Sequence, residues 1–188
     1  MSIGNVEKNN LIEQCILSLS EGKMDKMEAL YNLIKDDVYA FALSKVCNKY
    51  DADDIMQDTF VQIYKNAQLY VCKGKPLSWI FTIESNLINR YFQLKNRKVE
   101  LNEDIINNIP SQENVYCKED NYFLKSLLEN LTKHERQVIS LHIVSSLKFK
   151  EIADLLSLPL STVLSKYNRA IKKLKKIAKE EKYENYRN

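Results

Sequence analysis

The sequence predicts an all-α fold: two small helical domains joined by a linker, the C-terminal one a helix-turn-helix. Three observations carry this. Apolar residues recur at the helical period through most of the chain, and no stretch alternates convincingly as a strand does. Only three glycines and three prolines occur in 188 residues, too few for the tight turns of a β-rich fold. One acidic, asparagine-rich stretch without period, residues 100–121, separates a front domain (1–99) from a back domain (122–188).

Leu11, Ile12, Cys15, Ile16 and Leu19 form a first helical stripe, and Ala29, Leu30, Leu33, Ile34, Val38, Phe41, Ala42 and Val46 a second. Asp51 is placed to cap a helix running to about Asn66, with Asp54 where a capping-box acid would sit. Met56, Phe60, Ile63, Tyr64 and Ala67 give that helix its core face. The segment Val71-Cys72-Lys73-Gly74-Lys75-Pro76 breaks the period and reads as a loop. Pro76 suits a first helical turn, and a long helix follows to about Arg97, with Trp79, Ile83 and Leu87 spaced as a core stripe. Beyond the linker, Tyr122 to Asn130 and Lys133 to Val144 read as two helices, with Thr132 as a cap between them. Ile152, Leu155 and Leu156 supply the apolar face of the next helix, and Ala153 is small enough for close crossing. Pro159 stops that helix, since its ring clashes with a helix interior. Ser161 or Thr162 then caps a last helix that buries Val163, Tyr167, Ala170, Ile171 and Leu174.

Composition narrows the function classes. Apolar residues make up 45% and charged residues 28%, which places the chain among globular domains. No apolar run approaches the ~20 residues of a membrane span, and Met1 to Asn10 lacks the apolar core of a signal peptide. Cys15, Cys47, Cys72 and Cys117 are scattered without a C-x-x-C pair, which fits a reduced, cytoplasmic protein and no metal site. His134 and His142 are too far apart to share a metal on one helical turn, and surface or half-buried packing is expected of both. No catalytic constellation and no cofactor motif is visible. Residues 131–188 carry 13 Lys and Arg against 6 Asp and Glu, whereas residues 101–130 carry 2 against 6. A basic module behind an acidic linker points to a polyanion as partner.

Three surfaces carry possible chemistry. On the helix from Asp51 onward, the core face leaves Asp54, Gln57, Asp58, Val61, Gln62 and Lys65 outside. Asp51, Asp53 and Asp54 suit the positive end of the helix, while Asp58 lies a turn deeper; the face reads either as a docking surface for a basic partner or as plainly solvated. Behind the Lys73-Gly74-Lys75 loop, the aromatics Trp79, Phe81, Tyr91 and Phe92 interleave with Asn86, Asn89, Arg90, Gln93, Lys95, Arg97 and Lys98. Rings beside amides and cations suit single-stranded DNA, although Trp79 also reads as core. The last helix turns Ser165, Lys166, Arg169, Lys172, Lys173 and Lys176 away from its apolar face. A basic second helix after a tight turn suits a DNA major groove; the same pattern also fits a helical hairpin with a solvated lysine face.

Three segments taken together resemble a bacterial RNA polymerase sigma factor, of the small two-domain extracytoplasmic-function (ECF) type. They are Asp51-Ala52-Asp53-Asp54-Ile55-Met56-Gln57-Asp58-Thr59-Phe60, Trp79-Ile80-Phe81-Thr82-Ile83-Glu84-Ser85-Asn86, and Leu131-Thr132-Lys133-His134-Glu135-Arg136 through Arg169-Ala170. Their order and spacing match over about residues 25–98 and 122–178. The resemblance implies that Asp51, Asp53, Asp54, Gln57, Asp58 and Val61 bind the β′ clamp helices of core polymerase. It implies that Lys73, Lys75, Asn86, Asn89, Arg90, Gln93 and Arg97 hold the melted −10 element. It implies that Ser161, Thr162, Leu164, Ser165, Lys166, Asn168, Arg169, Lys172 and Lys173 face the −35 element as duplex, and that the linker threads toward the active-site and RNA-exit region. The implied partners are core RNA polymerase, including its β flap, promoter DNA and an anti-sigma factor. No enzymatic activity and no membrane insertion are implied.

The sequence departs from the family pattern at several positions. Ser157 stands where the turn usually has Gly, and a left-handed backbone there costs ~1 kcal/mol. Ser161 also replaces a common Gly. Leu164 occupies an often basic position, Glu84-Ser85 replaces a small-plus-basic pair, and Arg90 falls where Asp is common. Acidic residues 101–130 are expected to mask the basic C-terminal module in the free protein. Two other readings fit the same residues: a stand-alone helix-turn-helix regulator whose front domain dimerises, and a polymerase-binding protein that no longer reads DNA.

Overall fold

The computed structural model describes residues 4–102 and 130–184, and the described residues fall into two compact units on either side of the 103–129 stretch. All regular structure in them is helical. The acidic linker beyond Asn102 and residues 122–129 of the helix read over Tyr122 to Asn130 lie outside the described residues, and Asn130 itself lies in a turn.

The first unit comprises α1 (Asn5–Ser20), α2 (Lys26–Val46), α3 (Lys49–Asn66), a 3-10 turn (Ala67–Leu69) and α4 (Pro76–Asn102). Helix α2 is central and packs on the other three. Ile12 and Ile16 from α1, Leu30, Ile34 and Phe41 from α2, Ile63 from α3, and Ile80, Phe81 and Ile88 from α4 are all essentially inaccessible. Each such side chain contributes about 1.5–3 kcal/mol by leaving water. Phe41 meets Phe81 edge-on at 5.1 Å between ring centres, and Tyr31 meets Phe60 at 4.9 Å.

Three sequence expectations are corrected here. Asn48, not Asp51, caps α3: its side-chain oxygen accepts from the amides of Tyr50 (2.9 Å) and Asp51 (3.1 Å). The preceding Cys47 is left-handed at φ 53° and reverses the chain after α2, so the helix begins two residues before the aspartate run. On α4 the buried stripe is Leu77, Ile80, Phe81, Glu84 and Ile88, while Trp79, Ile83 and Leu87 are only half-buried. Tyr64 on α3 is likewise exposed rather than core. The expected loop is present, with Gly74 at φ 66° and Pro76 opening α4.

Two carboxyl groups sit inside this unit. Asp37 on α2 is buried and takes an ion pair from Lys8 of α1 at 2.6 Å. Glu84 on α4 is fully buried, with no hydrogen-bond partner for either carboxyl oxygen. Burial drives its pKa well above the usual carboxylate value; the Lys45 ammonium opposes the rise and Asp37 adds to it.

The second unit comprises α5 (Lys133–Ile139), a π turn (Ser140–Val144), α6 (Phe149–Leu156) and α7 (Leu160–Glu184). Thr132 caps α5 as expected: its hydroxyl accepts from the Glu135 amide, and the Glu135 carboxylate accepts from the Thr132 amide at 2.9 Å. The expected helix to Val144 widens into the π turn, closed by the Leu147 amide on the Leu141 carbonyl. Val138, Leu141, Ile152, Val163 and Ala170 form the centre of the core. Leu155 and Leu156 are only half-buried.

Ser157 terminates α6 at φ 52°, ψ 44°, with the Leu158 amide reaching back to the Ala153 carbonyl at 3.0 Å. This is a left-handed helix stop that normally favours glycine. Neither Ser161 nor Thr162 is the cap of α7. The amides of Thr162 and Val163 donate to the Pro159 carbonyl, so both residues lie in the first turn.

Two stability predictions follow from these features. Ser157→Gly relieves the left-handed strain and loses part of that gain to unfolded-chain entropy, for a net stabilisation of ~0.5–1 kcal/mol; slower amide exchange in α6 and α7 is the readout. Glu84 binds its proton more tightly folded than unfolded, so its contribution is complete below the ordinary carboxyl value and is lost as pH rises toward its raised folded value. Glu84→Gln, which mimics the neutral acid, will flatten that decline. Trp79 is the chain's single tryptophan and lies in this unit, so its fluorescence in urea titrations at several pH values reports the difference.

Candidate nucleic-acid and partner interfaces

The start of α3 at Lys49 fixes which aspartates face outward. Ala52, Ile55, Met56, Thr59, Phe60 and Ile63 point into the core. On the opposite side Asp54, Gln57, Asp58 and Val61 are exposed, with Tyr64 and Lys65 beside them. Val61 is 47% exposed, an apolar group amid acids and amides. Asp51 and Asp53 are half-buried. Asp51 accepts a hydrogen bond of 2.6 Å from the Tyr91 hydroxyl of α4, so it is held within the unit.

Lys73 and Lys75 are exposed on the loop, and Asn86, Asn89, Arg90, Gln93 and Arg97 are all exposed on α4. At the helical period these five form one continuous stripe. The aromatics divide differently from the sequence reading. Phe81 is wholly buried against Phe41 and has no face to offer a base. Trp79 is half-buried with its ring edge-on to Tyr70 at 5.0 Å. Tyr91 and Phe92 are half-buried and meet edge-on at 5.2 Å. Burial and the Asp51 carboxylate raise the Tyr91 pKa, so it remains a neutral donor to that carboxylate.

Sequence reasoning missed a contact that organises the loop. Glu13 on α1 accepts from the Tyr70 hydroxyl at 2.5 Å and from the Gly74 amide at 3.2 Å. Hydrogen bonds from Tyr70 and from the Cys72 thiol lower the Glu13 pKa, and Gly74 adds to the effect. No local pattern signals this pairing, because the partners are 57 and 61 residues apart.

In the second unit, Ser161, Leu164, Asn168, Arg169 and Lys172 are exposed along α7, while Thr162, Ser165, Lys166 and Lys173 are half-buried. The Ser165 hydroxyl donates to the Thr162 carbonyl at 2.9 Å. Lys173 donates to the buried Glu135 carboxylate at 2.8 Å, which ties α7 to the start of α5. Burial tends to raise the Glu135 pKa, but Lys173 and the Thr132 donors outweigh it and the net shift is downward. Lys166, Arg169, Lys172 and Lys176 border the same groove as Thr132 and Glu135. The angle of α7 is set by an aromatic wedge: His142 stacks on Phe149 at 4.1 Å, and both meet Tyr167 edge-on at 5.1 and 5.0 Å. His142 Nδ1 also lies 2.9 Å from the Leu147 carbonyl. His142 is thus a packing residue, as its place in the sequence suggested.

Among the described residues no helix is long and apolar enough to cross a membrane. The model of sigma-70 region 2 matches residues 30–98, and that of sigma-70 region 4 matches residues 124–174. The chain is 26% identical over 153 residues to the ECF RNA polymerase sigma factor SigM of Bacillus subtilis, covering 79% of this chain and 93% of that one. It is 23% identical over 180 residues to SigW of the same organism, covering 88% and 96%. Two solved structures share the fold. The sigma factor RpoE in complex with the anti-sigma factor NepR, from Bartonella quintana, matches with a TM-score of 0.63 at 22% identity, over 81% of this chain and 96% of that one. CnrH in complex with the cytosolic domain of CnrY matches with a TM-score of 0.62 at 20% identity, over 90% and 98%. Two helical units in this order, each matched by its own region model, make the chain a member of the sigma-70 family, an ECF-type alternative sigma factor.

Proposed function

We propose that this sigma factor divides promoter recognition between a front domain over residues 1–99 and a back domain over 122–188, with residues 100–121 as the connecting linker. The front domain docks on the β′ clamp helices of core RNA polymerase through Asp54, Gln57, Asp58 and Val61, with Asp51 and Asp53 supporting that face from within. It then holds the melted −10 strand with Lys73 and Lys75 of the loop and with Asn86, Asn89, Arg90, Gln93 and Arg97 of α4. The back domain contacts the β flap and sets α7 in the −35 major groove. Ser161, Leu164, Ser165, Lys166, Asn168 and Arg169 approach bases, and Lys172 approaches phosphates. The protein performs no chemistry itself; polymerase does, in the cytoplasm.

The observation that carries this reading is the pairing, in one chain, of an exposed acid, amide and valine face on α3 with an exposed basic face on the second helix of a helix-turn-helix. Complementary charge steers and registers such docking, and a helix of α7's charge is suited to a polyanion groove. An anti-sigma factor is a further partner on this reading, because both structural relatives were solved with one or with a cytosolic domain bound. Run-off transcription with core polymerase on a promoter library is the direct test. No affinity for core polymerase at low salt, with any inhibitor removed, would sink the proposal.

Two sets of variants examine the assignments. Asp58→Arg reverses charge on an exposed helical position, so holoenzyme formation should be lost while the Trp79 unfolding midpoint stays unchanged. Arg169→Ala should weaken use of the selected promoter by ~1–3 kcal/mol if it grips a base. Lys173→Ala should instead act on stability. It removes a charge-assisted hydrogen bond to a buried carboxylate, a loss of ~1 kcal/mol, and should leave the salt dependence of duplex binding unchanged.

A further inference from the structure

We propose that Glu13 on α1 is a positioning residue for the 70–75 loop, holding it in the shape in which Lys73 and Lys75 receive the displaced DNA strand. The inference rests on the −10 reading of that loop given above.

Glu13 lies outside both family-matched segments. Its neighbours Ile12 and Ile16 are fully buried, whereas Glu13 itself is only half-buried and turns toward the loop. The carboxylate gathers donors from both ends of the loop, the Tyr70 hydroxyl and the Gly74 amide. Gly74, between the two lysines, is the loop's left-handed residue at φ 66°. The Tyr70 ring also packs edge-on against Trp79, in the first turn of α4. Glu13, Tyr70 and Trp79 thus link α1, the loop and the helix that carries the Asn86 to Arg97 stripe.

Holding the loop matters because each unordered residue costs about 1–2 kcal/mol of backbone entropy when a ligand fixes it. A loop ordered beforehand spares the incoming strand that cost. Charge gives a sharp discriminator. A bystander carboxylate near a phosphate chain only repels it, so its removal would tighten binding. A positioning carboxylate is one whose removal loosens binding despite the more favourable charge.

The test uses holoenzyme reconstituted from full-length chain and core polymerase, with a single-stranded oligonucleotide of the −10 non-template sequence from the selected promoter. Glu13→Ala and Tyr70→Phe should each lower oligonucleotide affinity by about tenfold, the order set by one charge-assisted hydrogen bond. Core-polymerase affinity should not move, and the Trp79 unfolding midpoint should fall by no more than the loss of one hydrogen bond explains, with the protein fully folded under the binding conditions. The double variant should lose no more than the weaker single variant, because both remove the same contact. Should Glu13→Ala fold poorly, Tyr70→Phe, which deletes one hydroxyl, decides alone. Unchanged or tighter binding in the variants overturns the inference. A Lys73→Ala/Lys75→Ala variant separates the two layers. If it weakens binding while Glu13→Ala and Tyr70→Phe do not, only the tether is wrong. If it too has no effect, the −10 reading of the loop falls as well.

Discussion

The packing of α3 on α2, with Phe60 against Tyr31 and with Met56, Ile63, Ile34 and Phe41 all buried in the same unit, decides what the front domain can offer a partner. A helix presents only the side that it does not bury, and a period of 3.6 residues makes the two sides strictly complementary. Once Ala52, Ile55, Met56 and Thr59 are committed to the core, Asp54, Gln57, Asp58 and Val61 must face water. The same coupling holds in α7, where burial of Val163 and Ala170 turns Leu164, Asn168 and Arg169 outward. The exposed faces of α3 and α7 are the reverse sides of their buried ones.

Three buried carboxyls follow three different solutions to the same problem, since an ion cannot leave water without compensation. Asp37 takes a lysine from the neighbouring helix at 2.6 Å. Glu135 is surrounded by its own capping box and by Lys173, so its charged form is favoured and its pKa falls. Glu84 has no hydrogen-bond partner at either oxygen, and burial pushes its pKa well above the usual carboxylate value. The first two stitch helices together with charge. The third behaves as a polar residue occupying an apolar slot, and it sits one turn from the residues that border the exposed α4 stripe.

Strongly periodic segments were legible from sequence; offsets and long-range pairs were not. Most core residues of α1 and α2, though not the exposed Leu11 and Ala29, could be read from spacing and residue chemistry, as could the loop before Pro76, the Thr132 cap and the stop before Pro159. The α3 cap was misplaced because Asn48 and Asp51 are both good caps, and only the reversal at Cys47 selects the first. On α4 two apolar stripes compete: Trp79, Ile83 and Leu87, or Leu77, Ile80, Phe81 and Ile88. The second needs Glu84 in the core, which hydropathy argues against, and the edge-on contact of Phe41 with Phe81 tips the choice. The π turn after Ile139 left no pattern of its own. Of the candidate site, the acidic, amide and basic positions were found because exposure follows from period. Glu13 and the aromatic wedge around His142 depend on elements distant in sequence, so no local pattern carries them.

Loss of Phe81 to the core changes the kind of single-strand surface that α4 can provide. Stacking needs an open ring face, and Trp79, Tyr91 and Phe92 each give part of theirs to a neighbouring ring. What remains fully open is the stripe of Asn86, Asn89, Arg90, Gln93 and Arg97, with Lys73 and Lys75 at its head. Amides and guanidinium groups read edges and phosphates, so on the proposed −10 reading discrimination along this stripe would rest on hydrogen-bond geometry. Geometry of that kind demands a rigid support. Here it comes from below, through the Ile80, Phe81 and Ile88 core, and from the side, through Tyr91 on Asp51 and Tyr70 on Glu13. The two tyrosine hydroxyls anchor opposite ends of the same surface to two different helices. The polar stripe is therefore braced by two carboxylates, Asp51 and Glu13, that lie outside the stripe itself.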